Sequence, residues 1–309
     1  MRFHGARATR IAMLRPMKLR CTSLTRSLVS LSLAATLGAC GSEEPAAPEL
    51  DLEGAAHGGE AVLATALVFD VADALGDLGT LVASSPVETI AGNIHGNALR
   101  VVQTCGTVTI DGTTVSAIIQ AEGCELPPPT DPEAPPPVWV APGGATEGSM
   151  EMVATRDGED LVLTVAIEGL VVHDRTFDGT ATLRSDTGIS WTVAVDVDVT
   201  GGEVAHVTSD VIIDPTPSSR TIDGTITVEG ATEAETTSYD ANDVEWARDA
   251  CYPSDGSLRF EDASGRETHV AFDEATATSG VATVRFSGTS AMPEMLAMDV
   301  TLPAYGECP

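Results

Sequence analysis

Ile189-Ser-Trp-Thr-Val-Ala-Val-Asp-Val-Asp-Val-Thr200 decides the fold. Ile189, Trp191, Val193, Val195, Val197 and Val199 share one parity, and Ser190, Thr192, Asp196, Asp198 and Thr200 share the other. Successive side chains of an extended chain point to opposite faces. The stretch therefore predicts a strand with one buried and one wet face, the arrangement of antiparallel sheets. Similar runs open at Gly106-Thr-Val-Thr-Ile110, Gly148-Ser-Met-Glu-Met152, Gly179-Thr-Ala-Thr-Leu183, Gly224-Thr-Ile-Thr-Val228, Gly256-Ser-Leu-Arg-Phe260 and Gly280-Val-Ala-Thr-Val284. Their shared form, a glycine and then alternation, reads as the opening of a hairpin, with Asp-Gly, Gly-Gly, Ser-Gly and Pro-containing turns between runs. The spacing between them is uneven, which argues against a solenoid or propeller. The expectation is a mainly β chain: about ten to twelve antiparallel strands in a sandwich, barrel or curved sheet.

Upstream the period changes. Leu67, Val71, Leu75, Leu78 and Val82 recur at helical spacing within residues 61–82, with Asp70, Asp73 and Asp77 on another face, and this predicts one N-terminal amphipathic helix. Gly76 and Gly79 cost its last turn about 1 kcal/mol each relative to Ala. Residues 40–60 are acidic and rich in Gly, Ala and Pro, and read as a flexible tether to a single β-rich domain over 61–309. A Pro-rich loop is expected at 125–146, because Glu125 to Pro142 holds eight of the 18 prolines and proline cannot donate to a ladder. The segment reads as a stiff surface excursion; Trp139 would matter only if it served as a ligand for an aromatic groove.

The first 39 residues hold seven basic residues and no acidic one, followed by the apolar run Leu28 to Leu37. Basic, then apolar, then small residues mark a secretory signal peptide over 1–39, and the run is too short for the roughly 20 residues of a membrane span. Met17-Lys18-Leu19-Arg20 offers a second possible start. Leu37-Gly38-Ala39-Cys40 resembles the lipobox of bacterial lipoproteins. The resemblance implies cleavage before Cys40, a diacylglyceryl thioether on its sulfur and acylation of the new amino terminus, with palmitate-type chains that together make a stable anchor. Gly41 in place of Asp after the cysteine implies sorting to the outer membrane. The segment from Cys251-Tyr-Pro253 to Leu302-Pro-Ala-Tyr-Gly-Glu-Cys-Pro309 is similar to the close of a group of bacterial envelope lipoproteins, and that likeness implies no activity.

Charge excludes several functions. The 309 residues carry 46 Asp plus Glu against 16 Lys plus Arg, a formal net charge of -30, which repels a nucleic-acid backbone. Beyond the leader no lysine remains, which excludes Schiff-base, pyridoxal phosphate and P-loop lysine chemistry. The hydrophobic share of 43% is enough to build a core.

Four cysteines follow Cys40. In an exported chain they imply two disulfides, expected as Cys105–Cys124, which flank two predicted strands joined at Asp111-Gly112, and Cys251–Cys308, which would staple the last strands. Zinc is the competitor, but no C-x-x-C pair or histidine at ligand spacing accompanies them. His173-Asp174 suggests a catalytic dyad, yet adjacent strand residues diverge and no nucleophile elbow occurs. Asp196 and Asp198 fit the wet face of a strand better than a calcium loop. Asp240, Asn242, Asp243 and Glu245, in a predicted loop, are the best candidate ligands for Ca2+.

Together these readings lead to a non-enzymatic envelope lipoprotein, a binding or structural module held by its acyl chains, with no nucleic acid and an unknown protein or hydrophobic ligand as partner. The alternative is a periplasmic carrier of lipid, with the helix packed in or across a curved sheet and Met150, Met152, Met292, Met295 and Met298 as adaptable wall residues. That arrangement is similar to lipoprotein-sorting chaperones of the periplasm, at the level of fold alone. An enzyme would need a cleft of converging carboxylates, which no spacing suggests.

Overall fold

The computed structural model of the chain describes residues 50–124, 139–229, 236–247, 250, 252–262, 265–286 and 297–302, all within the compact unit Pro48–Pro309. The leader, Cys40, most of the Pro-rich loop, Met292, Met295, Cys251 and Cys308 lie outside the described residues.

Among the described residues thirteen strands, one more than the upper end of the expectation, form one open sheet in which each strand pairs antiparallel with the next in sequence. They are β1 (Gly106–Asp111), β2 (Thr114–Gln120), β3 (Ala145–Asp157), β4 (Asp160–Val172), β5 (Arg175–Ser185), β6 (Trp191–Thr200) and β7 (His206–Pro215). There follow β8 (Ser219–Glu229), β9 (Thr236–Ala247), β10 (Asp255–Glu261), β11 (Glu267–Ala271), β12 (Val281–Phe286) and β13 (Ala297–Thr301). The mainly β architecture stands as expected, and a single curved sheet replaces the choice among sandwich, barrel and sheet. In β6 burial alternates at every residue, with Trp191, Val193, Val195, Val197 and Val199 inside. Ile189, assigned to the same face, lies before the strand and is 72% exposed.

The glycine-led runs hold a correction. Gly106 opens β1 and Gly280 precedes β12, but Gly148, Gly179 and Gly224 sit inside long strands rather than at hairpin openings. The β4–β5 register shifts between Ile167 and Leu170, and the β8–β9 register between Ile222 and Gly224. Gly179 has φ 147 and Gly224 φ 136, and a Cβ at Gly179 would lie 2.2 Å from the carbonyl oxygen of Asp196. Irregularities of this kind bend a strand and deepen the twist, so these glycines curve the sheet rather than end its strands.

The sheet curves around helix α1 (Leu52–Gly76), which touches β6 to β9 and β13 on the sheet and α2 (Val87–Val102) and the Pro142–Gly144 turn elsewhere. A short α3 (Glu274–Ser279) joins β11 to β12. Two of the expectations for this region change. The tether does not extend to residue 60: Asp51 Oδ1 accepts from the Gly54 N–H at 2.8 Å, caps the helix, and starts it at Leu52. Nor is the helix amphipathic, because every residue from Gly58 to Asp73 is buried, Asp70 and Asp73 included, while Val82 is 59% exposed. The amphipathic helix is α2, with Ile90, Ala91, Ile94, Ala98 and Val102 facing the core.

Cys105 and Cys124 form the expected disulfide, with Cα atoms 4.9 Å apart, tying the chain before β1 to the chain after β2. Trp139 is a core-anchoring residue rather than a displayed ligand: it packs against the hydrophobic cluster and donates its indole N–H to Val101 O at 2.8 Å.

Candidate functional site

The concave face of the sheet is where a carrier would hold its cargo, and α1 occupies it. Leu63, Leu67, Phe69, Val71 and Leu75 are each at most 1% exposed and belong to one cluster with Met150, Met152, Trp191, Val193 and Leu258. Burying side chains of this size stabilises by about 1.5–3 kcal/mol each. Met150 and Met152 fill core, and Met298 is 43% exposed.

Among the described residues, buried ion pairs at two levels fix α1 within this apolar interior. Toward its N-terminal end Glu60 Oε1 lies 3.3 Å from Arg175 Nε, with 4% and 9% of the side chains exposed, and Glu60 Oε2 accepts the Glu203 N–H at 3.1 Å. Farther along, Asp70 Oδ2 lies 2.9 Å from an Arg220 terminal nitrogen whose side chain is fully buried and whose guanidinium sits 5.7 Å from the Trp246 ring. In both pairs the helix supplies the acid and the sheet supplies the arginine. A buried pair of this kind is weak support for stability, but removing one partner strands a charge, so the pairs specify where along the sheet α1 sits. Tyr239 Oη adds a hydrogen bond to Gly54 O at 2.8 Å, and burial, followed by the nearby Asp51 charge, pushes its phenol above the ordinary value. Sequence reading set Asp70 on a face apart from the apolar one and Glu60 in the tether, and did not single out Arg175 or Arg220. The usable signal was two aspartates in the apolar stretch Val62–Leu75 of a chain whose basic residues beyond the leader are all arginine.

A cleft of about 480 Å³ opens at the C-terminal end of α1, lined by Asp73, Asp77, Asn97, Arg100, Thr216 and Pro217 among others. Much of its polar surface is engaged within the protein. Asn97 donates to Ala74 O and Leu75 O, Arg100 donates to Asn97 Oδ1 at 2.5 Å, and Asp73 Oδ1 accepts the Leu78 N–H.

The Ca2+ candidates are not in a loop. Asp240, Asn242, Asp243 and Glu245 belong to β9, with Ala241 and Val244 buried between them. Asp243 takes φ 50 at a bulge where the registers with both neighbouring strands shift, and its N–H donates to Asp223 Oδ2 at 3.4 Å. Among the described residues no group of three or more His, Cys, Asp or Glu is placed to hold a metal ion. Asp196 and Asp198 lie on the wet face of β6, where they meet His206 at 3.4 and 2.8 Å. His173 and Asp174 form the β4–β5 turn. His269 on β11 is held below the ordinary histidine value by burial and then by the Arg285 and Arg259 charges.

Among the described residues no helix is long and apolar enough to cross a membrane. No protein-family model, curated protein or solved structure matches the chain.

Proposed function

We propose that this chain is a bacterial envelope lipoprotein, anchored by acyl chains on Cys40 and sorted to the outer membrane, whose β-domain serves as a non-enzymatic binding or structural module. The observation that supports the module reading is the filled interior: α1 takes the concave space and is tied there by ion pairs at two levels, so recognition falls to the outer surfaces. The anchor rests on the lipobox-like Leu37-Gly38-Ala39-Cys40, and ten residues separate Cys40 from the Asp51 that caps α1. Labelling the expressed chain with a radioactive fatty acid tests this. Label that is present in the full chain and lost in Cys40→Ala is the expected result; an unlabelled full chain overturns the anchor.

A second reading, a carrier of hydrophobic ligands, is favoured by one observation: the segment in the concave space is a single Gly- and Ala-rich helix next to the tether. It requires α1 to leave. Native mass spectrometry before and after organic extraction separates the two readings, since a lipid-sized mass lost on extraction supports the carrier and a bare chain supports the module.

A further inference from the structure

The two ends of the sheet are built differently. β13 carries Asp299 at its centre, so antiparallel pairing with a copy of itself would set like charges against each other. β1, Gly106-Thr-Val-Thr-Ile-Asp111, has no charge before its last residue, although the chain contains 46 acidic residues. Natural sheets usually block such an edge with charge, proline or a covering element. Among the described residues no strand pairs with the outer side of β1.

The hydrogen-bond parity of β1 is fixed by its partner. Gln120 N–H donates to Cys105 O at 2.7 Å, and Asp111 faces Thr114 across a two-residue turn. Alternation then bonds Thr107, Thr109 and Asp111 to β2 and turns the N–H and C=O groups of Val108 and Ile110 to the open side. Val108 is half-buried and Ile110 is 40% exposed.

We infer that β1 is an interface for a second copy of this chain, joined antiparallel about a two-fold axis at Thr109. In that register Val108 of each copy meets Ile110 of the other, Thr109 meets itself, and Asp111 meets Thr107, so no like charges oppose. Each β2 extends the pattern. On the concave side Ala117 and Val115 flank Val108 and Ile110 to give one apolar row, and on the convex side Ser116 flanks Thr109 to give a row of hydroxyls. Such pairs are favourable across strands, and the contact is isologous and closes at two copies. The low charge of the edge suits a chain whose other surfaces repel their like.

The test uses the full chain and does not depend on acylation at Cys40. Thr109→Cys, placed at the axis, forms a covalent dimer on mild oxidation, whereas Thr164→Cys on the exposed face of β4 does not. Light scattering gives the wild type twice the chain mass, and Ile110→Lys about halves it without changing the melting temperature; Ile110→Thr repeats the measurement if the lysine variant fails to fold. A wild type that stays at monomer mass, or Thr109→Cys that cross-links no more than Thr164→Cys, overturns the interface. Cross-linking of Thr109→Cys to a different protein overturns the choice of partner.

Discussion

α1 and α2 lie next to each other in sequence and in space, yet they are built on opposite rules. α2 has an apolar stripe toward the core, an exposed face with Leu99 at 47%, an acidic first turn with Glu88 and a basic last turn with Arg100, which suits the helix dipole. α1 is enclosed on all sides from Gly58 to Asp73, and of its buried carboxylates Glu60 and Asp70 meet arginines of the sheet. The difference shows that a helix placed inside a curved sheet is specified by charge pairing as well as by hydrophobicity. An apolar helix surrounded by apolar walls could slide or rotate at little cost, and the pairs remove that freedom.

The comparison breaks most sharply at Arg220. Arg220→Ala leaves the Asp70 carboxylate of α1 buried without its arginine and should cost about 3–5 kcal/mol, read from denaturant unfolding. Combining Arg220→Met with Asp70→Leu should recover most of the loss, which would establish that the pair sets position more than stability. Truncation gives the next largest contrast: Leu67→Ala on α1 should cost about 2–5 kcal/mol, and Leu99→Ala on the exposed face of α2 less than about 0.5. Equal losses at the two positions would remove the distinction between the helices. Reducing Cys105–Cys124, just beyond α2, should cost about 3 kcal/mol and loosen β1 and β2 while α1 stays protected, as read by hydrogen exchange.

The pH effects are smaller and of opposite sign. Tyr239, next to the start of α1, titrates higher in the folded state than its ordinary value of 10.0, so its contribution is complete below pH 10 and is lost as the pH rises from there toward the folded value. Asp273, which caps α3, is held below its ordinary value of 3.8 by hydrogen bonds from Thr276. Its contribution is present above that value and is lost as the pH falls through the folded one. Tyr239→Phe should flatten the alkaline limb of a melting-temperature profile, and Asp273→Asn the acid limb.

Much of the sheet was legible because a one-sided strand writes its burial at every second residue, as β6 does from Trp191 to Thr200. The Cys105–Cys124 pair was legible from the two strands it flanks. The glycines were misread because Asp-Gly is a turn signal in sequence, and only the register shift beside Gly224 shows that the same dipeptide can sit at a bulge. α1 was misread because Leu67, Val71 and Leu75 repeat at helical spacing whether or not the other faces are wet, and a buried carboxylate looks like a solvated one until its partner is known. Glu60 and Arg175 are 115 residues apart, a separation across which no local pattern runs. α2 escaped notice because Gly92, Asn93, Gly96 and Asn97 lower its helix propensity, although the first three lie on its exposed side, Asn97 bonds to the end of α1, and the buried stripe is left intact.

The central claim is that α1 is core and not a removable cover. Hydrogen–deuterium exchange of the purified chain tests it most directly, by comparing the amides of residues 58–73 with those of β5 to β7. The account predicts equally slow exchange in helix and strands, with both released in one cooperative opening. Rapid exchange across residues 58–73 while β5 to β7 stay protected would contradict it and would make the concave face a site that α1 vacates.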